Sequence, residues 1–266
     1  MGIHKNIGEI GELLLKATAL QCMQSGKTIA AISGPITSLH VGDFKSGRGT
    51  YSTAGSCPPV GDLTLIRNSG YKELQQRLAY AGIVKAGTSM KADIQINGQN
   101  YSIKSSSARP AIINHTFRSG FLRITNQLGI DIKPLDDEVE RYWHVRLGDE
   151  FKLGEDVSGN DRLKANVFIS QEFKKYFRSI FNHFAFIGTG RGDSPQRAKF
   201  ILEFNDPLDV STWKVIDQNT FYDQVWPDLI FSIRDKGKRL TMPKEDEPWA
   251  QTSRDKIQAQ LHVRAG

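Results

Sequence analysis

Sulfur is scarce in this chain: Cys22 and Cys57 are the only cysteines in 266 residues, and they stand in unrelated contexts. Neither a disulfide framework nor a four-ligand zinc site has enough thiolates to build from. A reducing, cytoplasmic setting is the expectation. Long apolar runs are missing too, since no window approaches the ~18 consecutive apolar residues of a membrane span. In MGIHKNIGEIGELLLKATALQCM, Glu9 and Glu12 interrupt the apolar part, which denies it the continuous core of a signal peptide. The string SGKT at Ser25–Thr28 lacks the glycine a phosphate-binding loop needs five residues before its Gly-Lys pair, because Gln21 stands there. No internal repeat is visible.

Acidic residues are the smaller share of the charge. With 29 Asp and Glu against 35 Lys and Arg, the formal net charge is +6 and the pI is near 9.2. Such an excess attracts polyanions, nucleic acid among them, and says nothing about fold. The 39% hydrophobic and 24% charged residues are ordinary for a globular chain, long enough for one large domain.

Ile7, Ile10, Leu14, Ala17 and Cys22 recur at helical spacing, so an amphipathic helix is expected over residues 7–23. Residues 42–62, rich in Gly, Ser and Pro, read as one long loop. A short helix fits Tyr71–Ile83, with Leu74, Leu78 and Ala81 on one face. From Pro110 to Ile130 a helix or helix pair is expected, with Pro110 at its first position. The acidic run from Asp131 to Asp156 reads as a solvated connector in preference to a metal cluster. A helical stretch then covers Ser170–Gly188, and Phe200, Leu202 and Phe204 alternate as in a strand. A last strand pair turns at DKGK, ahead of a polar C-terminal tail. This order implies a central mixed β-sheet flanked by helices, an α/β or α+β fold.

The stretch KADIQINGQNYSIKSS, Lys91–Ser106, carries the chemistry. Asn97-Gly98 tolerates the positive φ angles of a tight hairpin turn, so Asp93–Ile96 and Tyr101–Lys104 are expected to pair around NGQN. Alternation puts Asp93 and Gln95 on one face, with Ser102 and Lys104 together on the returning strand. If the polar faces coincide, a carboxylate able to hold a hard cation meets an ammonium able to hold a water and to balance charge on phosphorus oxygens. Solvent-exposed hairpins carry the same residue types without function, and spacing alone leaves both readings open.

The run GTSMKADIQINGQNYSIKSS resembles the core of the PD-(D/E)xK nuclease superfamily, and within it type II restriction endonucleases. The resemblance implies a restriction-endonuclease-like core, with Asp93 as ligand of a magnesium ion, Lys104 as catalytic lysine and the Ile103 carbonyl as a backbone ligand. It departs from the pattern at Ala92, where a proline is nominal, and at Ser102, which stands in the catalytic set where the family has an acid. A serine supplies no negative charge. Members of the family recruit a glutamate from the N-terminal helix instead, and of Glu9 and Glu12 the second is preferred. Its alternative role is an i, i+4 pair with Lys16. Asp62 and Glu73 are weaker candidates.

Arg109, Arg118 and Arg123, with Asn114 and His115 between them, form the most basic neighbourhood after Lys104, suited to clamping phosphates or to lining a plain basic surface. His115 stands either as a proton-transfer group or as an ordinary hydrogen-bonding residue. The loops around Lys45 and Arg48 and around Arg191 and Arg197 could enter a DNA groove, where Arg pairs with guanine, or be surface turns. The resemblance thus implies a magnesium-dependent, sequence-specific double-stranded DNA endonuclease, acting as a homodimer without a membrane. It implies one nuclease domain over residues 1–266, with its core approximately 1–130, and 160–245 adding strands and recognition or dimerisation elements. The rival expectations are a structure-specific repair, recombination or phage nuclease with the same core, and a non-catalytic DNA-binding module.

Overall fold

The computed structural model describes residues 7–107, 111–147, 170–234, 242–253 and 256–265, in a mixed α/β fold. In chain order the principal elements are α1 (Ile7–Ser25), β1 (Ser38–Asp43), β2 (Arg48–Ser52), α2 (Leu63–Asn68), α3 (Tyr71–Tyr80), β3 (Ile94–Ile96) and β4 (Gln99–Ser105). There follow β5 (Ala111–Phe117), α4 (Arg118–Leu128), α5 (Lys133–Leu147), α6 (Gln171–Asn182), β6 (Phe200–Phe204), β7 (Lys214–Ile216), α7 (Gln218–Val225), β8 (Leu229–Arg234) and β9 (Gln260–Ala265). The chain divides into two compact units, residues 1–110 with 194–221, and residues 111–193 with 222–266. Among the described residues no helix is long and apolar enough to cross a membrane.

The first unit is built on a six-stranded mixed sheet in the order β7-β6-β4-β3-β1-β2. All neighbours are antiparallel except β6 and β4, whose parallel register sets Ile201 beside Ser102 and Glu203 beside Lys104. Helix α1 was expected to be amphipathic, with one wet face. Instead Leu13, Leu14, Leu15, Ala17, Ala19 and Leu20 are all buried, and Lys16 with them. A helix apolar nearly all round is a core element. It joins Leu39, Val41, Ile94, Ile96, Tyr101, Ile103, Leu202 and Phe204 in one hydrophobic cluster.

The hairpin forms as expected, with a tighter turn. Ile96 pairs with Gln99, so the loop is Asn97-Gly98 alone, at φ 49° and 76°. Gln99 and Asn100 already belong to β4. The expected 42–62 loop is shorter than its composition suggested, because β1 continues to Asp43 and β2 returns within it. Glycine makes that return possible: a Cβ on Gly42 would stand 1.9 Å from the Arg48 carbonyl oxygen.

In the second unit, β8, β9 and β5 form an antiparallel three-stranded sheet with β9 central. The expected helix after Pro110 is therefore a strand followed by a helix, α4, which Gly129 closes in the left-handed conformation at φ 68°. The acidic segment is a helix as well: α5 buries Leu135, Val139, Tyr142 and Trp143, at helical spacing. Its carboxylates take ion pairs, Asp136 with Arg118, Asp137 with Lys133 and Glu138 with Arg141, and the expected solvated connector gives way to a packed element. Residues 148–156 of that run lie outside the described residues. The C-terminal part forms strands where a polar tail was expected, and β8 pairs with β9; the expected turn at DKGK and residues 239–241 after it lie outside the described residues.

Candidate active site

Side chains from α1, from the approach to β3 and from β4 gather at one end of the six-stranded sheet, all within the first unit. Strand β3 opens on an irregularity. Ile94 pairs with Tyr101, and the Asp93 N–H also donates to the Tyr101 carbonyl at 2.8 Å, so two residues face one as at a bulge. Such a step re-aims the side chain ahead of the ladder. The Asp93 carboxylate turns onto β4, where Oδ2 accepts from the Ile103 N–H at 2.7 Å and from Ser102 Oγ at 3.1 Å. A residue's N–H and C=O project to the same side of a strand. The Ile103 carbonyl therefore also faces the start of β3, beside Asp93.

Ser102, where the resemblance calls for an acid, is buried and serves as a donor that orients Asp93. A further carboxylate near Asp93 is that of Glu12, on α1. Glu12 Oε1 accepts from the Lys16 ammonium at 2.7 Å and from the Ala86 N–H at 3.2 Å. Lys16, completely buried, also donates to the Val84 carbonyl at 2.9 Å. Burial pushes the Glu12 carboxyl above its ordinary range and the neighbouring Asp93 carboxylate adds to the push, with Lys16 acting against both. The helix pair Glu12–Lys16 and the approach of Glu12 to Asp93 were alternatives in the sequence, and both are present.

Glu9 is placed elsewhere. It pairs with Lys85 and accepts from the Tyr71 hydroxyl at 2.5 Å; burial and this carboxylate push the phenol up to about 12. Asp62 caps α2, accepting from Thr64 N at 2.8 Å and Leu65 N at 3.2 Å, and Glu73 pairs with Arg77 on the surface. Neither is a competitor for the site.

Lys104 is half-buried, with Glu203 on the adjacent strand in register beside it. A residue not singled out in the sequence, Lys91, joins it. Burial and then the Lys104 ammonium lower the Lys91 ammonium to about 8, while Asp93 pulls the other way. The available signal was the K-x-D spacing, which in an extended chain puts two side chains on one side. What this constellation offers chemically is a pair of carboxylates from separate elements, a backbone carbonyl beside them and two lysines.

Among the described residues no group of three or more His, Cys, Asp and Glu is placed to hold a metal ion. Glu12 and Asp93 make a two-carboxylate set, which suits a cation such as magnesium that keeps most of its waters and takes one or two carboxylates. Glu12 Oε2 and Asp93 Oδ1 accept no hydrogen bond among the described residues, the engaged oxygens being Oε1 and Oδ2.

The residues expected to bind nucleic acid are scattered. In the first unit, Lys45 is exposed in the β1–β2 turn, Arg48 is exposed with one contact to the Ala79 carbonyl at 3.3 Å, and Arg197 is exposed near β6. In the second unit, Arg118 is committed to Asp136 through two bonds at 2.8 and 2.7 Å and to the Glu245 carbonyl at 3.1 Å. Arg123 donates to the Gly190 carbonyl at 2.7 Å, Asn114 is exposed on β5, and Arg191 is exposed in a turn. His115 adopts φ 44° and packs its ring 4.9 Å from that of His262. Arg109 lies outside the described residues. Compared with protein-family models, curated proteins and solved structures, the chain matches none of them.

Proposed function

We propose that the protein is a magnesium-dependent endonuclease that hydrolyses phosphodiester bonds of double-stranded DNA, in the manner of type II restriction enzymes. The observation that carries this reading is the approach of Glu12 to Asp93, beside Lys104, from elements 81 residues apart in sequence. The charge missing at Ser102 is supplied from α1, and Ser102 becomes the hydrogen-bond donor that holds Asp93 in place.

In this reading Asp93 and Glu12, with the Ile103 carbonyl, hold the metal. Bound there, magnesium supplies a Lewis acid for a phosphate oxygen and an acidified water. The protein's own groups do the remaining work. Ser102 Oγ and the Ile103 N–H keep Asp93 in one rotamer, so little reorganisation is needed on binding. Lys104 holds the attacking water and offsets charge on the equatorial phosphate oxygens. The basic excess of the chain draws duplex DNA toward the site, and exposed Lys45, Arg48 and Arg197 extend that field on the same unit. Cutting both strands of a palindrome calls for two copies, and we include a homodimer in the proposal.

A specific observation favours a second reading, a DNA-binding module without catalysis. Glu12 is already occupied by Lys16 and the Ala86 N–H, and the described residues offer no third ligand. The test is incubation of the protein with a sequenced plasmid and magnesium, followed by mapping of the ends. Discrete fragments that Asp93→Ala and Lys104→Ala abolish support the restriction-type reading. Cutting confined to junctions or flaps selects a structure-specific nuclease, and binding without cutting selects the module.

A further inference from the structure

The second unit holds a buried carboxylate that the chemistry above does not use. Glu138, on α5, is 7% exposed and lines a cavity of about 460 Å³ whose walls come from α5 and the first turns of α6, all within that unit. Arg141 meets it end-on: one guanidinium nitrogen donates to Oε1 at 2.6 Å, while Oε2 is shielded from solvent and has no hydrogen-bond partner among the described residues. A carboxylate oxygen buried without a donor is costly. Burial holds the carboxyl above its ordinary range and Asp137 adds to this, with Arg141 acting against both. The Arg141 side chain is 58% exposed, so the partner already on Glu138 is a surface group that can move without opening the core.

The rest of the cavity sets the kind of ligand. Asp137 and Glu172 are exposed acids on its lining, and Arg141 is its one basic residue, so negative charge is in excess; Lys133, bonded to Asp137 at 2.6 Å, offsets part of it from outside. Phe173 and Tyr176, their ring centroids 5.7 Å apart, form an aromatic wall together with Pro134. The Tyr176 hydroxyl is tied to the Asp131 carbonyl at 2.8 Å, which fixes its ring. Aromatic faces attract cations, and a cavity of this size with few polar groups suits a small molecule. A guanidinium fork needs both oxygens of a carboxylate, and Arg141 holds one of them. The oxygen left over takes a point donor.

We propose that the cavity between α5 and α6 binds a primary alkylammonium group, which donates to Glu138 Oε2 while its hydrocarbon stem lies against Pro134, Phe173 and Tyr176. A free amine and the lysine side chain of a partner protein share this chemistry. The inference does not depend on the nuclease reading.

The experiment is isothermal titration of the full chain at about pH 8, where the amine is charged. The probes are n-butylamine, the uncharged n-butanol, n-butylguanidine and Nα-acetyl-lysine amide. Wild type is expected to bind n-butylamine with a Kd of about 1 mM, ordinary for so small a ligand, and to bind n-butanol at least about tenfold more weakly and n-butylguanidine more weakly than the amine. Glu138→Gln weakens amine binding by about tenfold or more, the effect of one charge-assisted hydrogen bond. Arg141→Met tightens it several-fold, because the competing cation is gone. Should Glu138→Gln fail to fold by far-UV circular dichroism, Arg141→Met decides, its side chain being largely at the surface. Nα-acetyl-lysine amide binding more tightly than n-butylamine supports the proposal with a partner's lysine as the source, and the reverse order supports it with a free amine. No binding of the amine up to about 10 mM would overturn it, leaving solvent to serve Oε2. So would n-butanol or n-butylguanidine binding as well as the amine, a folded Glu138→Gln with wild-type affinity, or an Arg141→Met with unchanged or weaker affinity.

Discussion

Replacing Lys16 by methionine isolates the energetics of the site. Lys16 is completely buried and gives its ammonium to Glu12 at 2.7 Å and to the Val84 carbonyl at 2.9 Å. Methionine fills nearly the same volume, so the change is one of charge and hydrogen bonding. It leaves the Glu12 carboxylate largely buried, with the Ala86 N–H as its remaining donor among the described residues at 3.2 Å and the like-charged Asp93 nearby. Breaking one half of a buried ion pair costs about 3–5 kcal/mol, chiefly because the other half keeps its desolvation penalty. In urea this corresponds to a midpoint lowered by about 1–2 M, taking a slope near the upper end of the usual range. The double variant Glu12→Gln/Lys16→Met removes both charges and should recover a large part of the loss, with a coupling energy above about 1 kcal/mol. Urea titrations followed by tryptophan fluorescence and far-UV circular dichroism supply the four corners of the cycle. A Lys16→Met protein within about 0.5 kcal/mol of wild type, or a double variant whose loss equals the sum of the singles, would refute the reasoning.

Other consequences are as direct. His262 is buried, and burial with Arg234, His115 and Arg264 nearby lowers its imidazole from 6.5 to about 4. Because its folded value lies below the unfolded one, its contribution to stability is fully present above pH 6.5 and is lost as pH falls toward 4. The swing amounts to about 3 kcal/mol, and His262→Gln should flatten that part of the stability–pH curve measured by urea midpoints. Gly42→Ala should destabilise by about 1–3 kcal/mol or more, since its Cβ meets the Arg48 carbonyl, whereas Gly98→Ala, strained at φ 76° but open in space, should cost only about 1 kcal/mol in the same assay. Arg118→Met should lower the midpoint and leave duplex affinity in a gel-shift titration unchanged, because its guanidinium is held by Asp136 and the Glu245 carbonyl.

The parts of the fold that could be read from sequence are those where local chemistry has one solution. Asn97-Gly98 admits the turn it makes, and α3 and α6 carry apolar stripes bounded by polar residues. Composition misled where tertiary packing decides. The Gly-rich stretch after Gly42 looks like loop, yet the same glycines let β1 and β2 pair at close range. The charged run after Asp131 looks like connector, although Leu135, Val139 and Tyr142 lie at helical spacing within it. The C-terminal strand was legible and passed over: Ile257, Ala259, Leu261 and Val263 alternate with Gln258, Gln260, His262 and Arg264. In the site, Ser102 and Lys104 share a face of β4 by alternation, a local rule, while Asp93 reaches Ser102 from the irregular start of β3. Choosing between Glu9 and Glu12 required knowing where Val84–Ala86 and Lys85 would lie, which no local rule supplies. The backbone of Lys91 is held by Ser194 and Gln196, more than a hundred residues away, which no local rule supplies.

In the proposed site Glu12 replaces the acid missing at Ser102. Plasmid cleavage in magnesium by Glu12→Gln and Glu9→Gln, each checked for an unchanged urea midpoint, tests it most directly. Glu12→Gln is expected to lose cleavage by about 10²-fold or more, as for loss of a group that supports transition-state charge, while Glu9→Gln stays near wild type. Full cleavage by Glu12→Gln, or a greater loss in Glu9→Gln, would contradict it.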